Sequence, residues 1–224
     1  RAFSKKEVRD RVLPTYLGLV KQLDDHLGSL FQFMREQGSF DQTLIVFTSD
    51  HGDYLGDHWL GEKDWFHEPS VKIPLIIRDP SSLANSSRGS RSKRIVESID
   101  LIPTFIEALG GSFSDHILEG QSLKPFLNGE FTKSIRECAI SEYDYSVAPI
   151  SSLLNADPKK ARIYMVTTQR WKYIHWLAPK PGVEELYDLQ SDPMERTNLV
   201  KSPSHRKKLI EMRTRWEELR EKAK

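Results

Sequence analysis

An apolar run, Leu44-Ile45-Val46-Phe47, ends in Asp50-His51-Gly52, and a lone lysine, Lys63, follows in a polar loop. A carboxylate, an imidazole and an ammonium thus fall at the carboxyl end of an expected strand, where open α/β sheets bind their ligands. Asp50 and His51 offer an oxygen and a nitrogen donor suited to a hard or borderline divalent cation. A carboxylate directly after a buried strand is costly unless a metal or a positive partner holds it. Lys63 suits an anionic group held by that cation. Together the three point to metal-assisted chemistry on a sulfate- or phosphate-type group. Spacing alone leaves plainer readings open. Asp50 could be a turn or cap aspartate ahead of Gly52, His51 a structural histidine, and Lys63 a surface lysine.

The order of motifs around these residues carries a resemblance. Asp50-His51-Gly52 is followed by Leu55-Gly56-Asp57-His58, then by Lys63, then by Pro69-Ser70-Val71-Lys72-Ile73-Pro74-Leu75-Ile76. Upstream stand Tyr16, Val20, Asp24-Asp25 and Gly28. Downstream come Ser98-Ile99-Asp100-Leu101-Ile102-Pro103-Thr104, Gly120-Gln121-Ser122-Leu123, Glu185-Leu186-Tyr187-Asp188-Leu189, Asp192-Pro193 and Asn198-Leu199. This succession resembles the sulfatase branch of the alkaline phosphatase superfamily, nearest to phosphonate monoester hydrolases and related arylsulfatases, and it covers nearly the whole chain.

The resemblance implies that Asp50 and His51 are metal ligands and that Lys63 contacts the anionic group under attack. It implies one divalent metal (manganese, calcium or zinc) and a formylglycine nucleophile made from a cysteine upstream. The histidine at 51, where many sulfatases have asparagine, favours the softer metals. Cys138, in Arg136-Glu137-Cys138-Ala139-Ile140, lacks the proline, serine and arginine of the nucleophile motif and reads as a small strand or core residue. The chain is therefore expected to be the C-terminal half of a larger enzyme, carrying half of its active site. His58, Trp59, His67 and Glu68 lie in the loop expected to roof the cleft and are candidate pocket residues, with loop packing as the plainer reading. Asp53 and Asp57 read as turn and cap residues. Two rivals stand beside this reading: a calcium-dependent sulfatase for a small or sugar sulfate, and a non-catalytic remnant serving assembly or binding.

Composition narrows the partners. The formal net charge of +1 gives no overall electrostatic case for nucleic acid or acidic lipid, so the expected partner is a small anionic ester. Homo-oligomers remain open. No apolar run approaches the roughly 20 residues that cross a bilayer. The single cysteine excludes an internal disulfide framework. Localisation, cytoplasmic or periplasmic, is not legible.

The elements that must position the site read as follows. Tyr16, Leu19, Val20, Leu23, Leu27, Leu30, Phe31 and Met34 recur at helical spacing within residues 4–37. Pro14 is expected to open this main helix after a break at Val12-Leu13, and Gly38 to stop it. Residues 43–48 read as a buried parallel strand and residues 72–78 as a second strand. The loop between them is too long and charged for a simple linker. Residues 80–92 form a Ser-rich surface loop with an Asn85-Ser86-Ser87 sequon. A short strand is expected near Ile95-Val96, then a helix capped by Asp100 and ended by Gly110-Gly111. Strands are expected at 135–143, 162–168, 171–176 and 184–189, followed by an amphipathic helix from Ser204 to Lys222. Trp171, Trp176 and Trp216 read as core there, and Trp59 and Trp65 belong to the site loop. The fold class is α/β: residues 1–129 are expected to be part of an alkaline phosphatase-like sandwich, and residues 130–224 a small antiparallel-sheet-plus-helix subdomain.

Overall fold

The computed structural model describes residues 2–114, 116–130, 135–178 and 183–222. Among them the α-helices are α1 (Lys6–Glu36), α2 (Glu68–Val71), α3 (Leu101–Ala108), α4 (Lys124–Leu127), α5 (Pro149–Leu153) and α6 (Arg206–Lys222). The strands are β1 (Ile45–Thr48), β2 (Leu75–Arg78), β3 (Ala139–Asp144), β4 (Arg162–Thr167), β5 (Trp171–Trp176) and β6 (Val183–Asp188). The architecture is mixed α/β, with two antiparallel sheets and a closing helix. Residues 1–64, 69–90 and 124–130 form one compact unit; residues 65–68, 91–123 and 131–224 form a second.

In the first unit α1 runs without interruption, with Pro14 inside it, so the expected break at Val12-Leu13 does not occur. Pro14 removes the N–H that would reach the Asp10 carbonyl and its ring crowds that carbonyl, but on this exposed turn the carbonyl can lean out to water. The helix stops where expected. Gly38 adopts φ 69°, its N–H bonds the Arg35 carbonyl, and the Ser39 N–H bonds that of Met34, a Schellman closure. The apolar stripe stays largely exposed. No residue of α1 is buried, and Leu19 is 59% exposed; the stripe is half-covered only toward its end, where Phe31 meets the Phe40 ring edge-on.

β1 pairs with β2 in antiparallel register, Ile45 opposite Arg78 and Thr48 opposite Leu75, not in the parallel sheet expected from its apolar run. The chain leaving Thr48 returns at the same end of the pair, whereas a parallel partner would need a crossover to the opposite end. β1 is accordingly half-buried. Arg78 locks the start of β1: its guanidinium donates to the Phe40 and Thr43 carbonyls and to Asp41, and stacks 4.3 Å over the Phe40 ring. Lys124 of α4 pairs at 2.8 Å with the buried Asp79 just beyond β2.

The second unit is built on a four-stranded meander, β3-β4-β5-β6. Its strands alternate, and both faces are covered. Val166, Tyr173 and Leu186 face α6, where Leu209, Met212 and Trp216 complete the core. Cys138 packs at the margin of this cluster. On the opposite face lie Lys172, Ile174 and Trp176 of β5 with Glu185 and Tyr187 of β6, and segment 65–68 packs there. Trp65 stands 4.8 Å from Trp176 and 6.3 Å from Tyr145, ring centre to ring centre.

Asp100, fully buried, organises the region before the meander. It accepts the Glu97 N–H at 2.7 Å and the Gln121 N–H at 2.9 Å, and pairs with Arg136. Thr104, one turn on, accepts the Leu123 N–H at 2.8 Å. Gly120-Gln121-Ser122-Leu123 thus docks on the start of α3, and Gly120 is required there because a Cβ would lie 2.0 Å from the Ile99 carbonyl oxygen. The strand expected at Ile95-Val96 is absent. The segment runs without ladder partners, and the Lys93 carbonyl is taken by the Gln169 side chain.

Candidate active site

The site grows from the end of β1. After Thr48 the chain turns through Ser49-Asp50-His51-Gly52, and the Gly52 N–H donates to the Ser70 carbonyl at 2.8 Å. Gly52 has no alternative: an added Cβ would stand 1.9 Å from the Pro69 carbonyl oxygen. Asp50 is exposed, and its Oδ1 accepts the His51 backbone N–H at 2.9 Å. That bond chiefly holds the Asp50 carboxyl below the usual carboxylate range, with the charge of Lys63 adding to it.

His51 contacts the Gly52 carbonyl through Nδ1 at 2.8 Å and Lys63 Nζ through Nε2, also at 2.8 Å. One tautomer satisfies both contacts: Nδ1–H donates to the carbonyl, and Nε2 accepts from the ammonium. Nε2 lies 3.4 Å from Asp50 Oδ2. The structure thus brings Asp50, His51 and Lys63 together, although twelve residues separate the lysine from the histidine.

An ordered loop makes that approach. The Tyr54 N–H donates to the Glu62 carbonyl at 2.9 Å, and the Gly56 N–H to the Leu60 carbonyl at 2.8 Å, so the chain doubles back. Asp53 caps the turn through Leu55 N–H. Tyr54 is buried with the His58 ring against its edge. Arg9 donates to the Phe3 carbonyl and lies 4.7 Å over the Trp59 ring, and Gly61 leaves room for the Phe3 ring. Leu55, Gly56, His58, Trp59, Glu62 and Asp64 all take positive φ. For residues with a Cβ this costs about 1–2 kcal/mol each, so the loop is over-determined by its contacts.

The remaining candidates fall elsewhere. His58 and Trp59 share the loop, with Trp59 55% exposed. His67 and Glu68 belong to the second unit. His67 is buried, 3.3 Å from Glu185 and edge-on to Tyr187. Glu68 pairs with Lys172 at 2.8 Å, and its N–H donates to Glu195. Sequence reading missed Lys172 and Glu195 altogether. The one available signal was a lysine at an inward position of an otherwise apolar alternation.

Among the described residues no group of three or more His, Cys, Asp and Glu is placed to hold a metal. The pair Asp50 and His51 nevertheless fits a divalent cation. It joins a carboxylate to an imidazole whose second nitrogen is held by a carbonyl, the arrangement that orients metal-binding histidines. Nε2 is taken by Lys63 in this structure, so a cation would use that lone pair only with the ammonium moved aside.

Comparison with known proteins identifies the family. Residues 56–222 match the family model described as N-sulphoglucosamine sulphohydrolase, C-terminal. That match includes Lys63 and begins after Asp50 and His51. A multifunctional alkaline phosphatase superfamily protein, PehA of Trinickia caryophylli, is 36% identical over 85% of this chain and 37% of its own length. An N-acetylglucosamine-6-O-sulfatase of Bacteroides thetaiotaomicron is 32% identical over 93% of this chain and 36% of its own. The crystal structure of a phosphonate monoester hydrolase of Agrobacterium radiobacter superposes with a TM-score of 0.81 at 31% identity, over 92% of this chain and 40% of that one. The chain thus spans about two fifths or less of these relatives' lengths. It belongs to the sulfatase branch of the alkaline phosphatase superfamily and carries the C-terminal region of that family.

Proposed function

We propose that this chain supplies part of the active site of a metal-dependent hydrolase that cleaves sulfate or phosphonate and phosphate esters. The observation that carries the reading is the 2.8 Å approach of Lys63 Nζ to His51 Nε2, beside Asp50, at the end of β1. Asp50 and His51 would hold the metal, which when bound polarises the oxygens of the anionic ester. Lys63 steadies the negative charge that grows on those oxygens, as an oxyanion donor does. The Gly52 carbonyl keeps His51 in one tautomer, and the His51 N–H holds the Asp50 carboxyl below its usual range, ready to bind a cation. A formylglycine nucleophile would come from outside this chain. Trp59, exposed beside His58, would touch a substrate.

Residues 1–129 are taken as part of the catalytic domain and residues 130–224 as its C-terminal subdomain. The relatives' names support an anionic ester as substrate, and a sulfated aminosugar is one member of that class. The test is hydrolysis of aryl sulfates and aryl phosphonate monoesters by the protein that carries this chain, before and after chelation. Activity should vanish on chelation and return with manganese, calcium or zinc. Full turnover after metal removal would exclude the metal, and no cleavage of either ester class by metal-loaded protein would exclude the reaction.

A further inference from the structure

We infer that Lys63 competes with a divalent cation for one lone pair of His51: it yields that position to the cation, and only then is its ammonium free for an anion. The inference rests on the reading of Asp50 and His51 as metal ligands and of Lys63 as the anion-binding residue. Both ring nitrogens of His51 are engaged. Nδ1–H donates to the Gly52 carbonyl at 2.8 Å, which leaves the Nε2 lone pair as the only one the ring can offer. Lys63 Nζ takes that lone pair at 2.8 Å. A cation bonds a neutral imidazole through the same lone pair, so cation and ammonium exclude each other there. Asp50 Oδ2 stands 3.4 Å from Nε2 on a side chain open to solvent, beside the contested position without filling it.

What moves in the exchange is a side chain alone. The Tyr54 N–H holds the Glu62 carbonyl at 2.9 Å, so the main chain entering Lys63 is tied to the loop. The Lys63 side chain is exposed on a long flexible stem. Its release costs the hydrogen bond to His51 and little packing. A hydrogen bond from a charged donor is worth about tenfold or more in an equilibrium constant, and exposure puts this one at the lower end. The exchange works in both directions. An oxyanion that draws Lys63 away opens Nε2, and a cation at Nε2 releases Lys63 to the anion. Each ligand therefore strengthens the binding of the other. The pair of ligands is a divalent cation and an oxyanion of the sulfate or phosphate type.

The experiment uses the protein that carries this chain, treated with a chelator and then titrated with zinc in a calorimeter. Lys63→Met, which keeps an unbranched stem and loses the ammonium, should bind zinc about tenfold more tightly than the wild type. Removing a positive charge also favours a cation through space, and salt separates the two causes. From about 0.1 M to about 1 M salt the screening length falls from about 10 Å to about 3 Å. A gain made only through space fades over that range, whereas the gain from a freed lone pair stays about tenfold. The second readout is made on the wild type itself. In protein with isotope-labelled lysine, the Lys63 ammonium signal, assigned through its contact with the His51 ring, should shift when zinc is added and shift again with inorganic sulfate. Equal zinc affinities, a gain that vanishes in high salt, or a Lys63 signal unmoved by saturating zinc overturns the inference. The metal reading fails on a different result: Asp50→Ala binds zinc as well as the wild type does. If wild type and Lys63→Met alike bind no zinc, that reading fails and the inference falls with it.

Discussion

Gly52 closes the Asp50-His51-Gly52 turn, and replacing it with alanine tests the site's packing directly. The new Cβ would fall 1.9 Å from the Pro69 carbonyl oxygen and 2.9 Å from its carbon. Both are backbone atoms, so no side chain can swing aside. Relief needs the two segments to part by at least about 1.1 Å. That movement breaks the Gly52 N–H bond to Ser70, worth about 1–3 kcal/mol where the freed groups stay sheltered from water. It also displaces the Gly52 carbonyl that orients His51. A misplacement near 1 Å costs about 100-fold in rate. Gly52→Ala should therefore lower turnover about 100-fold and stability by about 1–3 kcal/mol. Gly18→Ala on α1, where nothing lies within 4 Å, is the control and should gain up to about 1 kcal/mol with turnover intact. Steady-state kinetics and guanidinium unfolding read both effects. Wild-type kcat in Gly52→Ala, or an unfolding midpoint equal to that of the control, would refute the close approach.

Other substitutions follow from the same geometry. Asp50→Ala should abolish metal binding, measured by metal analysis after dialysis, and turnover with it. Because Asp50 is exposed, the unfolding free energy should move by less than about 0.5 kcal/mol. Lys63→Ala should raise the barrier by about 2–4 kcal/mol, which steady-state kinetics would show mainly as a lower kcat; an unchanged rate returns Lys63 to the surface. Glu185 predicts an acid response. Burial pushes its carboxyl up, but hydrogen bonds from His67, Tyr187 and Trp176 outweigh burial and hold it below its usual value. Its contribution is therefore present above the unfolded carboxylate pKa, near 4.3, and is lost as pH falls through the lower folded value. Unfolding free energies measured between pH 7 and 3 should fall less steeply in Glu185→Gln than in the wild type.

The meander was legible because each strand alternates: Ile163 and Met165 point one way and Tyr164 and Val166 the other, and both sets are apolar enough to show. Gly38 was legible because only glycine takes φ 69° cheaply. Asp50, His51 and Lys63 could be grouped because a strand end and a returning loop are local events. The fate of Pro14 was hidden, since whether a proline breaks a helix depends on where the freed carbonyl finds water. Strand direction at β1 was hidden as well, because an apolar run says how a strand is covered and nothing about its partner. The seat of Trp65, His67 and Glu68 lay furthest from reach. Locally they are loop residues; Trp65 is seated by Tyr145 and Trp176, and His67 and Glu68 by Glu185, Lys172 and Glu195, all distant in sequence with no signal that points back to them.

The loop from Leu55 to Asp64 constrains how this protein can change. Leu55, His58, Trp59, Glu62 and Asp64 hold a backbone conformation that β-branched residues all but refuse and that glycine, asparagine and aspartate tolerate best. Neutral drift at these positions is channelled toward that short alphabet. Insertions at the rim of the loop, which leave the left-handed turns alone, are the cheaper path to a change of shape there. A library built to reshape the loop should randomise chain length there before it randomises side chains.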